Sequence, residues 1–223
     1  MPREKQAENT MGGPIGGLWG KTPASRQRRQ EIVRATKAVF LEDGYRLASM
    51  ERLAAVAGTT KRTLYDHFGS KEGLFTACIE HGCELFVGKL PRAEDLPADI
   101  TKAVSSFIEQ MASLISGPDG VRFQRVVIAE AERHPEFGQL LNEAAFVAAE
   151  HVLRKYLERQ VTRGKLKPHD IAAWAQTLVG LATNLAHTQA LLGMPAGHDT
   201  HGARARRQIV AMYVRAHGPE GAD

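Results

Sequence analysis

The chain of 223 residues has little of what marks several protein classes. It contains two cysteines, Cys78 and Cys83, too few and too close together for a disulfide framework or a zinc finger. It has no apolar run of 18 residues that would span a membrane, and its charged N-terminus does not resemble a secretory signal. We therefore expect reduced thiols, a cytoplasmic location and no membrane partner.

Strand and catalytic signatures are also scarce. No Asn-Gly or Asp-Gly turn separates two alternating apolar runs, so β-hairpins are not predicted. The chain contains no Ser-His-Asp set, glycine-rich phosphate loop or two-histidine metal motif. The acidic residues Glu130, Glu132 and Glu136 are better explained as a solvated helix face or a packing motif than as paired catalytic carboxylates. We predict neither an enzyme nor a cofactor.

Cys78, His81 and Cys83 lie within six residues and raise the question of a metal site. On a helix, Cys78 and His81 share a face, but Cys83 points about 140° away. We expect no metal, and free cysteines on a core helix, with redox sensing as the alternative.

Hydrophobic residues make up 43% of the chain and recur at helical spacing, which predicts an all-α fold. Glycine and proline divide the chain into helical segments. Two apolar stripes are clear: Val104, Phe107, Ile108, Met111 and Ile115, and then Ile171, Trp174, Leu178, Leu181 and Leu185.

The net charge of +4 is unevenly distributed. Residues 21–71 hold eleven basic and five acidic side chains, a local charge of +6, whereas the chain from Glu72 onward carries −2. The glycine-rich stretch before them, with Trp19, is interpreted as a flexible tail. Such asymmetry indicates a polyanion-binding module joined to a nearly neutral remainder.

The segment from Ser49 to Phe75 has the pattern of a helix-turn-helix. Ser49, Thr60 and Ser70 are candidate N-caps, and Gly58 supplies a permissive residue for the turn. Leu64 would fill the wedge between the two helices. The first helix of the module should begin near Ser25 and end near Gly44.

The second helix of the corner would then expose Lys61, Arg62, Thr63 and Tyr65, which suit phosphates and base edges in a major groove. A plain helical corner is the alternative interpretation. The local charge and the three caps favour DNA binding.

This stretch resembles the signature of TetR/AcrR-type transcriptional regulators, and residues 125–137 are similar to the AefR-like C-terminal subgroup. The resemblance implies a helix-turn-helix domain at residues 25–72 and a helical domain at residues 73–217 that dimerises and binds a small effector, with tails at 1–24 and 218–223. The signature reads Ala57-Gly58-Thr59-Thr60-Lys61-Arg62-Thr63-Leu64-Tyr65-Asp66-His67-Phe68-Gly69-Ser70-Lys71-Glu72-Gly73-Leu74-Phe75.

The resemblance also implies site residues. Thr60, Lys61, Arg62, Thr63 and Tyr65 would touch DNA, with phosphate contacts from His67, Lys71 and Ser49. Thr59-Thr60 stands where the family more often has an apolar residue and Ser, and Arg62 where it often has Gly.

The C-terminal domain would supply an effector site and a dimer interface. Aromatic and methionine side chains there are either ordinary core or the lining of an effector cavity: Phe107, Met111, Phe123, Phe137, Phe146 and Trp174. A dimer interface is expected from the last long segments, with an intramolecular hairpin as the alternative: Trp174, Leu178, Leu181, Leu185, Ile209 and Tyr213. The predicted function is a homodimeric repressor released from a double-stranded DNA operator by a mainly apolar effector, and the alternative is a ligand-binding scaffold without DNA binding.

Overall fold

The computed structural model describes residues 22–194 and 200–219, so the predicted N-terminal tail up to residue 21 lies outside it. Within the described residues the fold is helical and has no strand, which confirms the all-α prediction. No helix among them is both long and apolar enough to cross a bilayer. The elements are α1 (Pro23–Leu47), α2 (Met50–Val56), α3 (Lys61–Phe68), α4 (Lys71–Val87), α5 (Ile100–Ser116), α6 (Pro118–Glu130), α7 (Pro135–Leu141), a π-helical segment (Asn142–Val147), α8 (Ala148–Thr162), α9 (Ile171–Gly180), α10 (Leu185–Leu191) and α11 (Thr200–His217).

The first helix differs from its predicted bounds at both ends. It begins at Pro23, because Thr22 accepts a hydrogen bond from the Ser25 amide at 3.2 Å and caps the helix. Near the predicted end, Gly44 leaves helical geometry at φ +76°, where a residue with a Cβ would be strained. The chain is then helical again to Leu47, and this kink lets Tyr45 enter the core.

The three predicted N-caps of the corner are confirmed. Ser49 accepts from the Arg52 amide at 3.2 Å, Thr60 from the Thr63 amide at 3.2 Å, and Ser70 from the Gly73 amide at 3.1 Å. The caps begin α2, α3 and α4 where the sequence predicts them.

Two hydrophobic clusters form the interior. The first contains side chains of the four helices α1, α2, α3 and α4 together with side chains of α6 and α7. The second is formed mainly by α5, α8, α9 and α11. Leu74, Phe75 and Cys78 of α4 belong to the first cluster. Thus α4 packs in the same core as the corner, and α2 and α3 rest on a continuous hydrophobic base.

The apolar stripe from Ile171 to Leu185 does not continue as one helix. The α9 helix ends at Gly180, and Asn184 restarts the chain as α10 by accepting from the His187 amide at 3.0 Å. The break rotates Leu185 out of the stripe, so that 71% of this residue is exposed.

Glu130 corrects one interpretation of the acidic cluster. Glu132 and Glu136 are exposed, but Glu130 is only 4% exposed at the end of α6. The solvated-face interpretation is therefore wrong for Glu130, and the packing interpretation holds.

Candidate nucleic-acid interface and effector cavity

Arg28 of α1 forms hydrogen bonds with the turn between α2 and α3. Its Nη2 donates to the carbonyl oxygens of Ala57 at 3.3 Å and Gly58 at 2.9 Å. These carbonyls belong to the turn that sets the angle between the two helices. Sequence reasoning counted Arg28 only as positive charge, because a contact across about thirty residues leaves no local pattern.

Arg29, the next residue of α1, holds the far end of α3. Its Nη1 donates to the His67 carbonyl oxygen, and its guanidinium lies 4.2 Å from the centre of the Phe68 ring. Carbonyls in the last turn of a helix lack helical donors, and Arg29 satisfies one of them. Side chains of α1 thus bond to the turn that precedes α3 and to the last turn of α3.

The outer face of α3 collects the predicted DNA-contacting residues. Leu64 is fully buried beneath the helix, while Lys61, Arg62 and Tyr65 are exposed, Tyr65 by 48%. Thr63 is half-buried, and its hydroxyl lies 3.0 Å from that of Thr60. The arrangement presents two cations, two hydroxyls and a ring on one short helix, the chemistry that suits a major groove.

The predicted phosphate contacts are less uniform. Ser49 is exposed at the start of α2, and the His67 ring is half-buried, 6.0 Å from the Phe68 ring. The Lys71 ammonium donates to the Arg46 carbonyl at 3.2 Å and lies 4.7 Å from the Tyr45 ring centre. Lys71 is therefore engaged within the protein rather than free at its surface.

Lys61 and Arg62 differ in their partners. The Lys61 ammonium lies 2.5 Å from the Glu51 carboxylate, and this hydrogen bond lowers the pKa of Glu51 and raises that of Lys61. An exposed pair of this kind exchanges readily for a phosphate contact. Arg62 has no acidic partner in the described part of the chain.

A cavity of about 300 Å³ lies behind the corner, between α1, α4, the α5–α6 junction and the π-helical segment. Phe123 and Phe146, two of the six predicted effector contacts, line it. Its other apolar walls include Phe86, Leu114 and Leu141. The polar groups around it are Arg34, Lys37, Lys89, Asp119 and Gln124. Sequence reasoning missed Arg34 and Lys37, since it assigned the cations of α1 to DNA.

The other four predicted effector contacts pack in or against the hydrophobic clusters and do not line this cavity. Phe107 and Met111 are fully buried in the second cluster, and Phe137 packs 4.9 Å from the Phe75 ring. Trp174 packs 5.0 Å from the Tyr213 ring. Helical periodicity reports that a side chain is buried, but not whether its neighbour is another side chain or a void.

Gln124 lines the cavity, and both ends of its side-chain amide form hydrogen bonds within the protein. Its amide nitrogen donates to the carbonyls of Ile115 at 2.8 Å and Gly120 at 3.0 Å, and its oxygen lies 3.0 Å from His187 Nε2. Because the Gln124 nitrogen already donates, His187 Nε2 must be the donor to the Gln124 oxygen. His187 is buried, and burial lowers its pKa.

The two cysteines are core residues. Cys78 and Cys83 are 0% and 1% exposed, and burial raises the pKa of each thiol to about 12. Both stay protonated at neutral pH, which makes them poor nucleophiles and poor metal ligands. Among the described residues, no group of three or more histidine, cysteine or acidic side chains is arranged to hold a metal.

The predicted dimer interface needs correction. Leu178 and Tyr213 are 0% exposed inside one chain, so they have no surface to offer a second copy. Trp174, Leu181 and Ile209 are half-buried. The exposed large apolar side chains in this region are these four: Leu185, Leu192, Met194 and Met212.

Two family models match the chain. Residues 32–78 match the one described as bacterial regulatory proteins of the tetR family. Residues 102–219, more than half of the chain, match the AefR-like transcriptional repressor C-terminal domain.

Curated relatives are named as HTH-type transcriptional regulators, repressors or activators. The HTH-type transcriptional regulator UidR of Escherichia coli (strain K12) is 28% identical over 141 residues, which span 63% of this chain and 69% of UidR. The HTH-type transcriptional repressor AcnR of Corynebacterium efficiens is 26% identical over 142 residues, 62% of this chain and 69% of AcnR. The activator FasR of Mycolicibacterium smegmatis is 29% identical over 103 residues, 46% of this chain and 47% of FasR.

Solved structures agree on the fold. A TetR-family regulator from Mesorhizobium loti MAFF303099 has a TM-score of 0.77 at 21% identity, covering 89% of this chain and all of the other. The flavonoid-responsive regulator FrrA has a TM-score of 0.71 at 26% identity, covering 87% of this chain and 99% of FrrA.

Proposed function

Because the chain belongs to the TetR family of bacterial transcriptional regulators, we propose that it is a homodimeric repressor that leaves its operator when a small, mainly apolar effector binds. The observation that carries the proposal is the outer face of α3, a capped helix with its polar side chains outward, whose last turn and preceding turn are both bonded to α1. Two such helices in a dimer would enter successive major grooves of a pseudo-palindromic site.

The proposed division of labour follows from exposure and partners. Arg62, Thr63 and Tyr65 would discriminate bases, because they stand on the outer face of α3. Thr60 and Lys61 would contact DNA from the N-terminal end of α3. Ser49, His67 and Lys71 would contact phosphates, with Lys71 exchanging its present carbonyl partner for one.

The direction of regulation rests on the C-terminal match. That match is to a repressor domain, and AcnR is named a repressor, whereas FasR is named an activator. Effector release is supported by the cavity between α1 and the C-terminal helices, and FrrA is named flavonoid-responsive. Dimerisation is supported by the exposed apolar side chains of Leu185, Leu192 and Met212.

The test is fluorescence anisotropy with labelled DNA from the region upstream of the protein's own gene. We expect tight binding to one segment and an affinity that falls steeply with salt, since Lys and Arg displace counterions from phosphates. Equal and weak binding to all duplexes would instead favour a ligand-binding scaffold that keeps the helical corner without reading DNA.

A further inference from the structure

The cavity is lined by both apolar and basic side chains. The rings of Phe86, Phe123 and Phe146 line it together with aliphatic side chains. Aromatic walls favour an aromatic guest, because offset and edge-on ring contacts stabilise the pair beyond the area they bury. At about 300 Å³ the cavity lies at the lower end of the ~300–1,000 Å³ range of small-molecule sites, so the guest is small.

Charges around the cavity are unbalanced. Arg34, Lys37 and Lys89 line it against a single carboxylate, Asp119. None of the three cations has an acidic partner among residues 22–194 and 200–219. Low-dielectric walls concentrate the field of such cations and raise the local concentration of anions. The other polar wall, Gln124, already uses both its nitrogen donors and its oxygen within the protein.

From this lining we infer that the effector is an amphipathic organic anion, whose aromatic body lies among Phe86, Phe123 and Phe146 and whose carboxylate or phenolate meets Arg34 and Lys37 of α1. The inference rests on the proposed function, since it names the ligand class of the proposed regulator. It also assigns the ligand a contact with the helix that positions α3, because Arg28 of α1 bonds to the turn before α3 and Arg29 bonds to the last turn of α3.

The cavity and the α2–α3 turn are contacted from one short stretch of α1, so a shift at the cavity can move the residues that hold α3. Arg28 and Lys37 are nine residues apart, about 14 Å along an α-helix. No break in helical geometry lies between them, since the kink of α1 is at Gly44. A ligand that draws Lys37 toward the C-terminal helices therefore shifts the same helical segment from which Arg28 and Arg29 contact α3 and the turn before it.

The test uses a matched pair of probes, 2-naphthoate and its neutral isostere 2-naphthamide, and isothermal titration calorimetry on the full chain. We expect saturable binding of naphthoate, about tenfold tighter than the amide, which corresponds to about 1.4 kcal/mol. The double variant Arg34→Gln/Lys37→Gln should lose this preference and keep its affinity for the amide. The control Lys155→Gln, an exposed cation on α8, should keep the preference.

The location is tested separately with Phe123→Ala, which removes one wall and should weaken both probes. Equal affinity for the two probes, absence of binding by either, or a preference that survives in the double variant would overturn the inference. Saturation with naphthoate should also weaken binding to the upstream DNA, and DNA should weaken naphthoate binding by the same factor. An unchanged DNA affinity at saturation would overturn the coupling through α1.

Failure of this inference is distinguishable from failure of the proposed function. A protein that binds its upstream DNA but shows no anion preference leaves the DNA-binding regulator standing and removes this ligand class. A protein that binds naphthoate as described but no DNA segment retains the site and loses the proposed operator function.

Discussion

Three cations around the helical corner bond to the protein's own backbone, whereas two cations of α1 line the cavity. Around the corner, Arg28, Arg29 and Lys71 donate to backbone carbonyls. Around the cavity, Arg34 and Lys37 line an apolar space and have no acidic partner in the described part of the chain. The local charge of +6 therefore overstates what is available to DNA, since part of it builds the corner and part faces the cavity.

The largest contrast is in packing, and the substitution Leu64→Ala tests it. Leu64 is fully buried under α3, whereas Leu85 lines the cavity and is 46% exposed. We expect Leu64→Ala to lower the free energy of unfolding by about 2–5 kcal/mol, because truncation leaves a void in a close-packed core. Urea denaturation measures the effect, with Leu85→Ala as the control. Equal losses in the two variants would show that the corner is no better packed than the cavity edge.

The exposed face of α3 should matter for DNA and not for stability. We expect Arg62→Ala to weaken binding to the preferred upstream segment by about 1–3 kcal/mol, the worth of one bidentate contact with a base. The Tm should stay unchanged, because Arg62 is exposed and has no acidic partner within residues 22–194 and 200–219. Lys155→Ala serves as the matched control in the same anisotropy assay. An unaltered sequence preference in Arg62→Ala would remove the residue from base recognition.

Arg28 and Arg34 lie on the same helix, but Arg28 bonds to the α2–α3 turn and Arg34 lines the cavity. We expect Arg28→Ala to destabilise the protein by about 1–2 kcal/mol, since two carbonyls of the α2–α3 turn lose a charged donor. Arg34→Ala should change the free energy of unfolding by less than about 0.5 kcal/mol, as surface substitutions usually do. Urea denaturation of both variants decides the matter, and a larger loss in Arg34→Ala would reverse the roles given to the two arginines.

The smallest expected effect is a pH dependence of the free energy of unfolding that arises from His187, the partner of Gln124 in the cavity wall. Burial lowers the pKa of His187, so its stabilising contribution is complete above the unfolded value of about 6.5 and is lost as the pH falls through that value toward the folded pKa. We expect the free energy of unfolding to fall as the pH drops from about 8 to about 5.5. His187→Gln should make that fall shallower, although His81, whose pKa is lowered by burial too, retains part of it. A slope identical to that of the unsubstituted protein would exclude His187 as a contributor.

The corner could be predicted from the sequence because its signals are local. Ser49, Thr60 and Ser70 each cap a helix three residues from the amide they bind, and Gly58 and Leu64 occupy the turn and the wedge. Contacts at that range are governed by residue type and spacing.

The cavity and the exposed apolar surface could not be predicted in the same way. Phe107 and Phe123 were both predicted as possible effector contacts, yet Phe107 is core and Phe123 lines the cavity, a difference that depends on the packing of separate helices. Tyr213 likewise had the periodicity of an interface residue, but its face is covered by Trp174 and His169 of the same chain. The hydrogen bonds of Arg28 could not be predicted from the sequence either, because their acceptors lie about thirty residues away along the chain.

We propose that α3 reads DNA as half of a twofold-symmetric pair. A DNase I footprint of the upstream region tests it most directly. We predict two protected half-sites whose centres are about one helical turn, or ~10 base pairs, or a multiple of it apart, as two recognition helices in successive major grooves require. Uniform weak protection along the fragment, or none at protein concentrations that saturate the anisotropy signal, would contradict the account.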